Sequence, residues 1–234
     1  MPNNINYEDD LIFILEETCK KLCTLYKAPN ETQDLPMLRF AVKNEKTRVS
    51  EQEARFCMVS VLEKSRLFLY SVETPTEQSY SFQQTGIHGT RKAQTDLSLL
   101  DSENNVIINI EFKAHSSKPE SYNKDFEKLY RENKTGIWFQ IIENANSGTI
   151  PKVQKKISDA LKFVPNEIKR KYNDTVNAEF LYLVFCLLNS GKFCIHKLSI
   201  KDKSILHEEF QKDTGACLGI NILQGNDFDL YKER

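Results

Sequence analysis

Apolar residues recur at helical spacing over Tyr7–Lys27 (Leu11, Ile14, Leu15, Leu22, Leu25), with acids early and lysines late, which predicts an amphipathic helix aligned with its own dipole. A polar stretch, Ala28–Asp34, follows, and Leu35–Lys46 reads equally as a short strand or a short helix. Ser50 then has the character of an N-cap, with Glu53 completing a capping box for a helix over Glu51–Lys64. Beyond it the period changes to two. Arg66–Val72 and Gln78–Phe82 predict a hairpin turning at Glu73–Glu77 around Pro75. Gln83–Ala93 reads as a connecting loop, and Gln94–Asp101 with Asn105–Ala114 as a second hairpin. A helix over Ser121–Asn133 and a strand over Gly136–Ile142 follow, so that the crossover from the preceding strand makes the two parallel. Pro151–Val164 predicts a helix begun by proline, and Ala178–Leu188 and Lys192–Ile200 two apolar strands turning at Asn189–Gly191. The pattern over Lys201–Arg234 places no element.

The second hairpin carries the informative exception to its own pattern. Strand side chains alternate between faces. Val106, Ile108, Ile110 and Phe112 therefore share one face, and Ile107, Asn109, Glu111 and Lys113 the other. In the preceding run Leu97 and Leu99 oppose Gln94, Asp96 and Ser98. Pairing Asp101 with Val106 across the turn sets Asp96 directly opposite Glu111. Such partners face one side with Cβ atoms about 4.5–5.5 Å apart. Two carboxylates so close repel, unless a hard divalent cation such as Mg²⁺ lies between them. Lys113 brings an ammonium to the same face. The competing reading is a solvated sheet face with ordinary salt bridges, or an unrelated α+β protein. Against it, Val-Ile-Ile-Asn-Ile-Glu-Phe-Lys has the composition of a strand covered on both sides.

At these residues the chain resembles the PD-(D/E)XK nuclease superfamily, through Asp96 on one strand and Glu111-Phe112-Lys113 on the next, with Thr95 where the family name has proline. The resemblance spans about Arg48 to Ile142. It implies an α/β, restriction-endonuclease-like fold, a mixed central sheet flanked by helices. It also implies Mg²⁺-dependent hydrolysis of phosphodiester bonds in DNA, with Mn²⁺ a possible substitute. Asp96, Glu111 and the carbonyl of Phe112 would ligate the metal, and Lys113 would orient the attacking water and stabilise the charge developing on the phosphate. A helical glutamate often joins such sites. Glu51, near the middle of the apolar face at its helix start, is the candidate here, with Glu53 second; alternatively both acids only complement the helix N-terminus. Restriction, repair, recombination and phage defence all use this fold, and many members dimerise, so a homodimer is compatible. The rival is a binding module for nucleic acid or protein on the same fold, without catalysis.

Composition narrows the remaining possibilities. At 234 residues the chain suits a single nuclease-like domain, with the core in 48–142 and a C-terminal extension over 143–234. No apolar run is long enough to span a membrane, and the first residues lack a signal-peptide pattern, which makes the cytoplasm the expected compartment. The six cysteines lie among apolar residues without zinc spacing, and buried thiols are expected. A net charge of −1 is unusual for a nucleic-acid enzyme. Cations cluster locally at Pro151–Tyr172, read as a solvated helix surface, and at His88, Arg91 and Lys92 in the Gly-containing loop before Asp96, read as phosphate contacts or an ordinary connection. Lys124, Lys128 and Arg131 recur at helical spacing and either point toward the cleft or pair with Asp125, Glu127 and Glu132 at the surface, the second being the favoured expectation.

Overall fold

The computed structural model describes residues 7–28, 38–84, 87–115, 117–144, 148–173, 178–200 and 223–224. The elements run α1 (Tyr7–Lys27), β1 (Ala41–Lys43), β2 (Lys46–Arg48), α2 (Glu51–Ser65), β3 (Leu69–Gln84), β4 (Ile87–Leu100), β5 (Val106–Ala114), α3 (Pro119–Arg131), β6 (Thr135–Ile142), α4 (Thr149–Tyr172), β7 (Phe180–Leu187), β8 (Lys192–Ser199) and β9 (Leu223–Gln224). β1 and β2 form a small hairpin where the sequence left strand and helix open. The other strands make one mixed sheet in the order β3-β4-β5-β6-β7-β8-β9. β5, β6 and β7 are parallel and the remaining neighbours antiparallel. This is the expected α/β class, with helices on both faces. Among the described residues no helix is long and apolar enough to cross a membrane.

The continuous apolar composition of the central strands follows from that layering. Odd-numbered residues of β6 (Ile137, Phe139, Ile141) enter a core with α1 and α2, together with Ile108, Ile110 and Phe112. Trp138 and Ile142 enter a second core with α3 and α4. Gly136 lies where a Cβ would stand 3.1 Å from a Leu181 methyl and 3.2 Å from Leu129 Cβ, so a side chain there would push α3 off the sheet. β7 and β8, from the C-terminal part of the chain, extend the same sheet.

Three sequence expectations are corrected. The two short strands expected at Arg66–Phe82 are one, β3, and the expected loop Gln83–Ala93 is for the most part the paired strand β4; positions 85 and 86 lie outside the described residues. Pro75 does not turn the chain. It sits in an edge strand opposite Gln94, where a missing N–H is tolerated, and the register shifts between Pro75 and Ser79. That bulge frees the N–H groups of Glu77 and Gln78, and both donate to the Glu132 carboxylate, at 2.8 and 3.1 Å; Tyr80 Oη donates to it at 2.8 Å. The second correction concerns α4, which continues through Pro165 to Tyr172 because its apolar stripe continues at Ile168. Burial there outweighs the roughly 3 kcal/mol that an interior proline costs.

The third correction is local. Leu100, not Asp101, pairs with Val106, and a shift between Leu99 and Leu100 leaves Ile107 as the extra residue of β5. Ile107 accordingly packs with the α1–α2 core rather than sharing the polar face. Beyond the bulge the register is Leu99↔Ile108 and Leu97↔Ile110, and its next step is Asp96 opposite Glu111. The one-residue offset at the turn and the extra residue of β5 cancel at the site.

Removing the Glu132 carboxylate leaves bulge donors without an acceptor, so Glu132→Ala is expected to destabilise the protein by about 2–4 kcal/mol in urea unfolding. A loss below about 0.5 kcal/mol would show that the bulge does not depend on it.

Candidate functional site

β4 and β5 part after Leu97↔Ile110, and a cleft of about 270 Å³ opens at that fork. It is lined by Glu51, Asp96, Glu111, Lys113, Asp125 and Lys128, among others. Each arrives by a distinct local cause. Asp96 is the last residue before the fork, and its Oδ2 accepts the Phe112 N–H at 2.8 Å in place of the lost ladder. The N–H and C=O of one extended residue point to the same strand edge, so the Phe112 carbonyl also faces this gap. Its ring packs in the α1–α2 core.

α2 delivers Glu51. Ser50 caps the helix, with its Oγ accepting from Gln52 N and its N–H donating to Glu53 Oε2 at 3.2 Å. Glu53 is thereby committed to the capping box, while Glu51 reaches the end of β5. Its Oε1 accepts from Ala114 N at 3.4 Å and lies 3.5 Å from Lys113 Nζ. Of these two acids, Glu51 is the one that lines the cleft.

α3 supplies cations and an acid for which the sequence favoured the surface over the cleft. Lys128 Nζ lies 2.6 Å from Glu111 Oε1 and 3.4 Å from Asp125 Oδ1, and donates to the Gln94 carbonyl at 3.0 Å. Lys113 Nζ lies 2.7 Å from Asp125 Oδ2. The expectation of surface pairing fails for this helix: Asp125, Glu127, Lys128, Arg131 and Glu132 are all buried. Arg131 stacks on Tyr172 and Tyr80 and donates to the Ser79 carbonyl. The physical reason is that the β3–β4 ribbon lies against α3, covering the face that helical spacing alone assigns to solvent. Only Lys124 of the expected basic row is exposed, and it lines the cleft.

Glu111 is 2 % exposed, which rules out the solvated-face reading of the stripe. Burial, then the neighbouring Asp125 and Asp96 carboxylates, push its pKa well above the ordinary value, against the pull of Lys128. Burial alone would lower Lys113 and Lys128, but the carboxylates around them more than reverse it, and both ammonium groups stay charged. Gln140, another residue not anticipated, is fully buried in β6; its amide donates to the carbonyls of Lys113 (3.2 Å) and His115 (2.7 Å), and its Oε1 accepts from Tyr122 Oη (3.1 Å). It holds the end of β5 in place. A glutamine inside Gly-Ile-Trp-Phe-Gln-Ile-Ile was the available signal for it.

The sequence-nominated phosphate contacts are not in the cleft. Arg91 and Lys92 lie further out on β4, opposite Tyr80 and Ser79, and Lys92 Nζ donates to the Glu77 carbonyl. His88 pairs through its backbone with Gln83, and its side chain lies outside the described residues. Of the cysteines, Cys19, Cys23, Cys57, Cys186 and Cys194 are buried free thiols, and Cys217 lies outside the described residues.

The oxygen-only set of Asp96, Glu111 and the Phe112 carbonyl fits Mg²⁺ in kind. Glu111 Oε1 is buried and has no partner of hydrogen-bond geometry, its contact with Lys128 being an ion pair by distance. Among the described residues, no group of three or more His, Cys, Asp or Glu side chains converges to hold a metal ion unaided. Lys128 is the cation at Glu111 here.

No family model matches the chain, and no curated protein matches it. One solved structure, that of SSO0001, is similar over 88 % of this chain and 85 % of its own, with 11 % identity and a TM-score of 0.24, a likeness too slight to carry an argument.

Replacing Lys128 with Met strands Glu111 as an uncompensated buried carboxylate. The expected loss is about 3–5 kcal/mol in denaturant unfolding, with much of it recovered by adding Glu111→Gln. A double variant no more stable than Lys128→Met would disprove the coupling. Because the folded pKa of Glu111 exceeds its unfolded one, its ionisation costs stability progressively as pH rises above about 4.5. Wild type should therefore lose ground to Glu111→Gln between acidic and neutral pH, and parallel stability–pH curves would contradict this.

Proposed function

We propose that this protein is a nuclease of the PD-(D/E)XK kind, hydrolysing phosphodiester bonds of DNA with Mg²⁺, for which Mn²⁺ can substitute. The observation that carries the reading is the juxtaposition of Asp96 and Glu111 across the β4–β5 fork, with Lys113 beside them and Glu51 at the same cleft. Asp96, Glu111 and the Phe112 carbonyl would hold the metal, which would supply a Lewis acid for the phosphate and lower the pKa of a bound water.

The chain's own groups account for the rest. Lys113, kept charged by Asp125, donates hydrogen bonds to a phosphate oxygen and stabilises the charge developing there. Asp125 acts through Lys113 as a positioning residue. Glu51, whose side chain is 41 % exposed and reaches Lys113, has an open side from which to accept a proton from the attacking water. Lys128 balances Glu111 and ties it to the Gln94 carbonyl. The free thiols suit a reducing compartment, which supports placing the protein in the cytoplasm.

A second reading, a non-catalytic module binding nucleic acid or protein, draws support from the same ion pairs. Glu111 and Asp125 are already neutralised by Lys128 and Lys113, and no three side chains converge on a metal position among the described residues. Incubating plasmid and single-stranded DNA with Mg²⁺ or Mn²⁺ separates the two. The nuclease reading expects metal-dependent cutting, its loss in Asp96→Ala, and a fall of at least about 10²-fold in Lys113→Ala with the metal-induced rise in melting temperature retained. Cutting by Asp96→Ala at the wild-type rate would overturn the site assignment. Absence of both cutting and metal stabilisation would favour the binding module.

A further inference from the structure

Beside the cleft lies a larger groove of about 1040 Å³, between the outer part of the β3–β4 ribbon and the helices α3 and α4. The two spaces share Gln94, Lys124 and Lys128, so one leads into the other. Cations reach the groove from three separate elements: Arg91 and Lys92 from β4, Lys124 from α3 and Lys171 from α4. Its acids are partly matched. Glu127 accepts from Tyr172 Oη (2.6 Å) and Lys171 Nζ (3.0 Å), and Glu167 is paired with Arg170 at 2.6 Å; Glu120 is the third. Phe163 also lines the groove, and it is 49 % exposed.

Side-chain contacts join the walls of the groove. Tyr172 Oη accepts the Ser81 N–H at 3.0 Å and so fastens the ribbon to the end of α4. Arg131 is stacked on Tyr172 at 3.6 Å and Tyr80 at 4.9 Å from the ring centroids, beneath the same junction. Glu132 holds the bulge next to it. The space is therefore part of the folded protein and needs no rearrangement to form.

We infer that this groove binds a single strand of nucleic acid and leads it to the cleft at Asp96 and Glu111. Cations distributed along a channel track a phosphate backbone, and an exposed aromatic ring stacks with a base. The ring also decides the strand state. In a duplex both faces of each base are covered by its neighbours, whereas an unpaired base has a face to give Phe163. This places the two basic residues nominated beside Asp96, Arg91 and Lys92, on the approach to the cleft. It also reconciles near-neutral net charge with a polyanionic ligand, because the relevant charge is local. The inference rests on the nuclease reading for the strand's destination, and on the groove alone for binding.

The test is fluorescence anisotropy of labelled oligothymidylate with the full chain in EDTA, so that no cleavage intervenes. Phe163→Ala is expected to weaken binding about tenfold, in the range found for single base–aromatic stacks. Arg91→Ala should weaken it and flatten the dependence of log K on log salt by about 0.7 for each phosphate that the arginine neutralises. A duplex of equal length should bind more weakly than the single strand. Unchanged melting temperatures would show that the variants are folded. Wild-type affinity in both variants, equal affinity for duplex, or no binding at all would each overturn the inference. Metal-dependent cleavage with no effect of either variant on binding would leave the nuclease reading standing without the groove. Groove-dependent binding with no cleavage would do the reverse.

Discussion

Glu111 is a carboxylate in the middle of a sheet covered on both faces, and much of the surrounding arrangement answers the problem this creates. An isolated charge at such depth costs several kcal/mol. The chain meets the cost with Lys128, which is itself buried and needs further partners, found in Asp125 and the Gln94 carbonyl. Asp125 in turn holds Lys113, and Lys113 approaches Glu51. Four elements, α2, β4, β5 and α3, are thus tied at one point by charge. Replacing such a network with apolar residues is often neutral or stabilising, so its presence is not explained by stability. That is the physical argument for a function at this point.

The long β3–β4 ribbon depends on the same helix from its other end. A two-stranded extension with an exposed edge is weak by itself. Here the bulge directs two backbone N–H groups to Glu132, Arg131 slides between aromatic rings, and Tyr172 fastens Ser81. α3 therefore has two tasks. Its residues 125 and 128 set the charges in the cleft, and Arg131 with the C-cap Glu132 holds the ribbon that walls the neighbouring groove. Site and groove share one rigid support, which links their geometry without any moving part.

Chemically, the cleft combines acids suited to a hard cation with ammonium groups that already occupy much of the negative charge. In a phosphodiesterase the same ammonium groups would face a phosphate, and the ion pairs would be exchanged for contacts to substrate. In a binding module they would stay as found. The difference lies in what displaces Lys128 from Glu111, which is a question of relative affinity between one ammonium and an incoming cation or phosphate.

The sequence by itself determined the alternation that puts Asp96, Glu111 and Lys113 on one face, the capping box of Ser50 and Glu53, the crossover from β5 to a parallel β6, and the full extent of α1. Periodicity, local hydrogen bonding and one tight turn decide these, and the crossover follows from the strand-helix-strand order with its fixed hand. Tertiary structure decided the rest. Pro75 reads as a turn and α4 reads as ending at Val164, because local signals are visible in sequence, while the sheet edge and the buried stripe that carry the chain on are not. Asp125, Lys128 and Glu132 read as surface charge because a helix written alone has a solvent side. Only the ribbon, returning from 34 to 55 residues earlier, turns that side into an interior, and burial then converts ordinary surface ions into the partners of Glu111 and of the bulge.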